Sequence, residues 1–251
     1  MHDAVERAIT VMWERFAEPI SLTDLADAAI LSRFYFSRVF RTATGTSPGR
    51  FLSAIRIHQA KSLLLDTGMS VTDISYNVGY NSQGTFTSRF SRSVGMTPTQ
   101  YRDRSGAGLL RPIVPTSGAG PAVRGAVAVP YTRTPLHIYV AAFRTPIPEG
   151  RPASCDVLEA DRRRFTLRGL PDGVWYVRAA AVEYLNLDPR PSNRRPLFVS
   201  GGPSIIVRSG RSVETDVTLH PTCVFDLPLL LALPELDGCQ LQREPLAAAV
   251  H

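Results

Sequence analysis

Side chains in the first hundred residues have the types and spacing needed to read the edges of paired bases. Arg33, Phe34, Ser37 and Arg38 are separated by one, three and four residues, so they share one face of a helix. A guanidinium such as that of Arg38 can donate two parallel hydrogen bonds to a guanine, the commonest specific contact in a major groove. Phe34 offers an apolar surface that suits either a thymine methyl or packing within the protein. Gln83, Thr85 and Ser88 make a second set about fifty residues on. Arg41, Arg56, Arg89 and Arg92 flank these sets and are candidates for phosphate contact, a sequence-independent source of affinity.

Other chemistry is poorly served. Cys155, Cys223 and Cys239 are odd in number and far apart, so no disulfide framework is implied. Cys223 and Cys239 with His220 lack the close paired spacing of zinc ligands, and His137 falls in a predicted strand where a structural role is expected. No nucleophile elbow, HExxH or phosphate loop occurs, so no catalytic residue, metal or cofactor is assigned and the chain is expected not to be an enzyme. The formal net charge is +6, from 28 Arg or Lys against 22 Asp or Glu, and the isoelectric point is near 9.6. That balance suits a polyanionic partner. It is spread evenly, since residues 1–105 hold 12 Arg or Lys against 9 Asp or Glu, so binding must come from where the charges point. Arg162, Arg163 and Arg164 read as a charged loop tip that could add to such affinity. No signal peptide is recognisable, and residues 227–233 are too short and proline-interrupted to span a bilayer, which leads to the expectation of a cytoplasmic protein with no membrane partner.

The elements that position the two sets are written twice. Ser21-Leu22-Thr23-Asp24-Leu25-Ala26 returns as Ser70-Val71-Thr72-Asp73-Ile74-Ser75, Phe36 and Phe40 as Phe86 and Phe90, and Gly45-Thr46-Ser47-Pro48 as Gly95-Met96-Thr97-Pro98. The offset is 49 residues at first and 50 from Ser32 and Ser82 onward. Ser21 with Asp24, and Ser70 with Asp73, have the spacing of a capping box, which predicts short helices over 22–29 and 71–77. Ser32 and Ser82 begin second helices whose Phe36, Val39 and Phe40, and Phe86 and Phe90, face inward. Gly45 and Gly95 stand where C-terminal glycine caps belong, and Gly79 could supply a left-handed turn. Ser47-Pro48 and Thr97-Pro98 start third helices as N-cap and first-turn proline. Each copy is therefore a helix-turn-helix, over about 21–45 and 70–95, whose second helix is of the kind that enters a major groove. The joining helix, from Pro48 for about 17 residues, spans roughly 25 Å. With the flanking helices it sets the readers near one turn of DNA, about 34 Å apart.

On these residues, roughly 3–104, the chain resembles the DNA-binding domain of AraC/XylS-type transcriptional regulators. The leading amphipathic helix (Val5, Ile9, Met12, Trp13, Phe16) and Pro19-Ile20-Ser21-Leu22 take part in the likeness. So do the joining-helix string Arg56-Ile57-His58-Gln59-Ala60-Lys61-Ser62-Leu63-Leu64 and the run from Ile74 through Val78-Gly79-Tyr80-Asn81-Ser82-Gln83 to Tyr101-Arg102. The resemblance implies sequence-specific regulation of transcription on a double-stranded promoter. Two departures stand out: family members usually carry this domain last, and here it comes first; and Ser88 and Gly84 occupy positions where a base-reading Arg and a polar side chain are common.

Composition changes after Arg104. Glycines and prolines over 105–121 mark a linker, and beyond it, over 122–251, apolar residues alternate with polar ones: Val123, Gly125, Val127, Val129; Leu136, Ile138, Val140, Ala142; Phe165 and Leu167; 174–181; 204–207; Val213, Thr215, Val217 and Leu219. Short strands with turns at 169–173 and 209–211 predict a small all-β sandwich following the all-α domain. The string from Phe165 to Val177 is similar to transthyretin-like carboxypeptidase regulatory modules and reads as a hairpin. This β domain is expected to sense a small-molecule effector, contact a protein partner or dimerise, across a boundary with few contacts. Two other readings stay open. One is an enzymatic or ligand-binding domain fused to a DNA-binding module, as in methyl-transfer repair proteins, with Cys155 in a predicted loop but the Pro-Cys-His-Arg string absent. The other is a non-specific nucleoid protein.

Overall fold

The computed structural model describes residues 1–107, 121–158, 162–183, 196–201, 204–208 and 210–231. Seven helices come first: α1 (His2–Glu14), α2 (Leu22–Ala28), α3 (Arg33–Thr44), α4 (Pro48–Asp66), α5 (Val71–Asn77), α6 (Gln83–Val94) and α7 (Pro98–Ala107). Their ends follow from local chemistry. At α2, Ser21 Oγ accepts from the Asp24 amide at 3.2 Å while the Asp24 carboxylate accepts from the Ser21 amide at 2.8 Å, a closed capping box. At α5, Ser70 Oγ accepts from the Asp73 amide and donates to its carboxylate. Ser32 and Ser82 cap α3 and α6 through the amides of Tyr35 and Thr85. Both helices stop at left-handed glycines, Gly45 at φ +71° and Gly95 at φ +90°.

Each motif has its own core. Phe36, Phe40, Phe51 and Ile55 pack with Val5, Ile9 and Met12 of α1 in the first, and Phe86, Phe90 and Tyr101 pack with Ile57, Leu64 and Ile74 in the second. α4 serves both, which is why it is apolar on opposite sides. Arginines tie the loops down. Arg7 donates to the carbonyls of Ala28 and Ala29, Arg56 to those of Phe16 and Glu18, and Arg102 to those of Leu64 and Met69.

The remaining described residues form strands β1 (Ala122–Ala128), β2 (Leu136–Phe143), β3 (Ser154–Leu158), β4 (Arg164–Arg168), β5 (Gly173–Glu183), β6 (Pro196–Ser200), β7 (Ser204–Val207), β8 (Val213–Glu214), β9 (Val217–Thr218) and β10 (His220–Pro221). One sheet has β1 between antiparallel β4 and the short parallel strands β8 and β9. The other runs β10-β6-β5-β2-β3, with β7 sharing the β6 edge of β5. A single apolar cluster, including Val123, Phe165 and Leu167 of the first sheet and Ile138, Val140 and Val177 of the second, lies between them. Gly125 is required here: a Cβ on it would stand 1.8 Å from the Thr215 carbonyl oxygen.

Three sequence readings need correction. Residues 169–173 do not close a hairpin; β4 pairs with β1 and β5 with β2, so this turn carries the chain from one sheet to the other. Cys155 is buried in β3, not in a loop, because its backbone pairs with Ala141. Arg162 is not a free loop tip, since its guanidinium is bidentate on Asp156 at 3.1 and 2.7 Å.

The boundary between the halves also carries more contact than its sequence suggests. All eight residues of β2 are buried, because one face meets the opposing sheet and the other, with Tyr139, Ala141 and Phe143, packs with Leu229 and Leu231. Phe225 and Leu227 of the same segment pack on the first helical core, and Leu227 and Leu230 on the second. The linker expected over 105–121 falls mostly on residues outside the described set, as does Cys239.

Candidate nucleic-acid interface

The second helix of each motif presents one buried and one exposed face. On α3, Phe36 and Phe40 are fully buried, while Arg33, Phe34 and Arg38 are exposed and Ser37 is partly so. Phe34 is 86% exposed, which removes it from the core. A helix that holds an aromatic ring in water beside two arginines is presenting a contact surface. Arg38 lies over the Tyr35 ring at 5.3 Å, which orients its guanidinium along the helix surface. Arg41, one turn beyond Ser37, is exposed at the same end.

On α6, Gln83, Gly84, Thr85 and Ser88 are exposed in the matching positions. Two of them are oriented by neighbours: Thr72 Oγ1 donates to Gln83 Oε1 at 2.9 Å, leaving the amide NH2 to face outward, and Ser82 Oγ donates to Thr85 Oγ1 at 2.9 Å. The two surfaces are unequal. The positions of Phe34 and Arg38 are taken by Gly84 and Ser88, so the exposed face of α6 is smaller and uncharged at these positions.

The phosphate candidates divide. Arg41 and Arg92 are exposed. Arg56 is turned inward: its Nε and Nη2 donate to Phe16 and Glu18 carbonyls at 2.7 Å each, and burial lowers its pKa from the ordinary value. Those bonds fix the loop before the first motif, so Arg56 is a structural clamp. Arg89 is half-buried; Nε donates to Ser53 Oγ at 3.0 Å, and Ser53 Oγ lies 3.2 Å from Tyr80 Oη. Its Nη2 is 3.5 Å from the carboxylate of Glu149.

Profile comparison identifies the motif pair: a family described as a helix-turn-helix domain matches residues 25–104. This segment is an AraC/XylS-type DNA-binding domain. The chain is 37% identical over 87 residues to an uncharacterized HTH-type transcriptional regulator of Bacillus subtilis, covering 35% of this chain and 30% of that protein. It is 30% identical over 101 residues to the melibiose operon regulatory protein of Escherichia coli, covering 40% of this chain and 33% of that one. Among solved structures, the DNA-binding domain of the global transcriptional factor AdpA in complex with a target DNA is 30% identical, covers 41% of this chain and 93% of its own, and superposes with a TM-score of 0.40. The chain thus spans about a third of the length of the curated relatives it matches.

Among the described residues, no group of three or more His, Cys, Asp or Glu is placed to hold a metal, and no helix is long and apolar enough to cross a membrane. Cys155 is 2% exposed. Partial burial pushes the Cys223 thiol above its ordinary pKa, and Asp226 adds to that, the opposite of what a reactive thiolate requires. His137 is buried in β2.

The sequence reading missed Arg50, Arg144, Glu149 and Arg151. Arg50 lies in the first turn of α4, and the other three lie in the connection between β2 and β3, where no periodicity marks them. Glu149 accepts from Arg50 at 3.1 Å and from Arg89, and the Gly150 amide donates to the Ser93 carbonyl at 2.9 Å. This connection is therefore docked on the C-terminal end of α6.

Proposed function

We propose that the chain is a sequence-specific, non-enzymatic transcriptional regulator that acts in the cytoplasm on double-stranded promoter DNA. In this reading α3 and α6 occupy successive major grooves on one side of the duplex. Arg33, Phe34, Ser37 and Arg38 read bases in one half-site, and Gln83, Thr85 and Ser88 in the other; Arg41, Arg89 and Arg92 contact phosphates. The observation that carries the proposal is the outward face of α3, where Phe34 is 86% exposed between two exposed arginines while the opposite face is fully buried. The melibiose relative's role as an operon regulatory protein supports the same activity.

The residues from 122 onward are read as a β sandwich serving as the regulatory module. Support comes from the one apolar cluster shared by two sheets. A cavity of about 360 Å³, lined by Tyr139, Phe143, Phe225, Leu227 and Ala43 among others, lies between this region and the C-terminal end of α3. Its position and apolar walls favour a small-molecule effector over a protein partner.

Selection from randomised duplexes by the full chain tests the proposal. The expected product is a two-part site with centres about one helical turn apart. Recovery of no enriched sequence, with binding that depends only on salt, would return the chain to the non-specific class.

A further inference from the structure

The second motif differs from the first in a way that base reading does not explain. Where α3 has Phe34 and Arg38, α6 has Gly84 and Ser88; where α3 has Val39 and Thr42, α6 has Arg89 and Arg92. Arg38 and Arg41 of α3 are thus replaced by Ser88 and Ser91, and the cations of α6 stand one position later, at Arg89 and Arg92. Arg92 follows Ser88 by four residues and so continues the same exposed face.

The β region completes this cationic end. Arg50, Arg89 and Arg92 of the helical domain and Arg144 and Arg151 of the β2–β3 connection line one cavity of about 640 Å³, with Glu149 the one acidic residue among its walls. Glu149 is paired with Arg50 and Arg89. Among the described residues Arg92, Arg144 and Arg151 have no acidic partner within 4.0 Å, and all three are exposed. Their positions are held. Arg144 stacks on Trp175 with its Cζ 3.7 Å from the ring centroid, and the stem of Arg151 lies where it would be 3.3 Å from a Cβ on Gly95. The Gly150–Ser93 hydrogen bond fixes the connection against α6. Three like charges lining one cavity favour an anion between them.

We infer that these arginines form a phosphate clamp on DNA, contributed jointly by the two halves of the chain. The phosphodiester backbone beside the second half-site enters the cavity and is met by Arg92, Arg144 and Arg151. Glu149 pairs with Arg50 and Arg89 and offsets one of their two charges, holds the β2–β3 connection in place, and leaves Arg92, Arg144 and Arg151 to face the strand. The β region is then part of the DNA interface, and the second motif serves as an anchor more than a reader. This inference rests on the DNA-binding reading above.

Salt dependence tests it, because each phosphate neutralised contributes about 0.9 to the slope of log affinity against log salt. The full chain and the Arg144→Gln/Arg151→Gln variant are titrated onto a mixed-sequence DNA duplex from about 50 to about 200 mM salt. The expected slope falls by about 1.8, so the variant loses roughly twelve-fold less affinity than the wild type across that range. Arg144 also packs on Trp175, so Arg151→Glu alone is measured beside it, with circular dichroism to confirm folding. It is expected to weaken binding on every sequence and lower the slope by about 0.9. Folded variants that keep the wild-type slope overturn the clamp alone, including the case in which pyrophosphate raises the thermal midpoint of the wild type and claims the cavity for a small anion. A wild-type chain that binds no duplex at any salt overturns the DNA-binding reading, and the clamp with it.

Discussion

The ammonium group of Lys61 donates to the carbonyl oxygen of Leu229 at 3.1 Å, joining the helix between the two motifs to the segment that follows the last strand. A second bond, at 3.2 Å, reaches the Leu231 carbonyl. Lys61 is the chain's single lysine and is 3% exposed. A buried ammonium is tolerated only where its donors are satisfied, and here the satisfaction comes from residues 168 and 170 positions away. Coupling between the halves therefore runs through the centre of the DNA-binding domain.

Lys61→Met should break that link while keeping the apolar stem. Two carbonyls lose a charged donor in a buried setting, at a cost of about 1–3 kcal/mol. For a chain of this size each kcal/mol lowers the melting midpoint by roughly 2–4 °C. Calorimetry on the full-length variant checks it, and an unchanged midpoint would show that the bonds contribute nothing net.

A fragment of residues 1–107 should keep its helices but melt below the full chain. Phe225, Leu227 and Leu230 cover apolar surface of both helical cores, and removing them returns that surface to water. Circular dichroism melts of fragment and full chain decide this. Equal midpoints would mean that the helical domain is thermodynamically independent.

Ile30 and Gly79 occupy the same place in the two motifs and answer the same backbone demand differently. Ile30 has φ +58° and is 80% exposed; Gly79 has φ +82° and lies where a Cβ would stand 2.8 Å from the Ala17 carbonyl oxygen. A left-handed conformation costs an ordinary residue about 1–2 kcal/mol, and a branched side chain resists it most. Ile30→Gly should therefore stabilise by up to about 1 kcal/mol after the added chain entropy of glycine. Gly79→Ala should destabilise by more than about 1 kcal/mol, since strain and collision add. Urea melts of both variants test the pair; a stabilised Gly79→Ala would contradict the contact with Ala17.

Acid should loosen the first motif at its N-terminal cap. The backbone hydrogen bond from Ser21, assisted by the Ser21 hydroxyl, holds the Asp24 carboxyl below its ordinary pKa. A carboxyl whose folded pKa is lowered contributes stability that is present above its unfolded value, about pH 4, and is lost as pH falls through the folded value. Asp24→Asn should remove this pH-dependent part. Comparison of wild type and variant by urea melts between about pH 2 and pH 6 reads it out, and parallel curves would reject the assignment.

The helical half was legible because its signals are local. Ser21 with Asp24, the glycines at 45 and 95, and the prolines at 48 and 98 act within a turn of where they stand, and the repetition of all of them fixes the pairing of motifs. In the β region the strand β3 was missed because Ser154-Cys155-Asp156-Val157-Leu158 is buried at four of five positions and shows no alternation. The turn at 169–173 has hairpin residues, yet which sheet each flanking strand joins is decided by the apolar cluster between the sheets. At the site, exposure of Arg33, Phe34 and Arg38 followed from helical spacing. The inward turn of Arg56 did not, because it depends on carbonyls 38 and 40 residues away. Glu149 was invisible for the same reason, its partners lying 60 and 99 residues off in sequence.

Base discrimination should be concentrated under the first motif. α3 presents Arg33, Ser37 and Arg38, and α6 presents Gln83, Gly84, Thr85 and Ser88, of which Gly84 has no side chain to read with. A bidentate guanidinium discriminates a base by about 1–3 kcal/mol, which is roughly 5- to 150-fold in affinity. Arg38→Ala should relax preference at one or two base pairs of that half-site, with little change in the salt dependence. Arg92→Ala should weaken all sequences alike and lower the salt slope by about one. Ser88→Ala should alter preference less than Arg38→Ala, since a hydroxyl accepts several base edges. Binding-site selection on randomised duplexes with the three variants measures these effects together. If the stronger half-site lies under residues 82–90, or Arg38→Ala leaves base preference intact, the readers are assigned to the wrong helix.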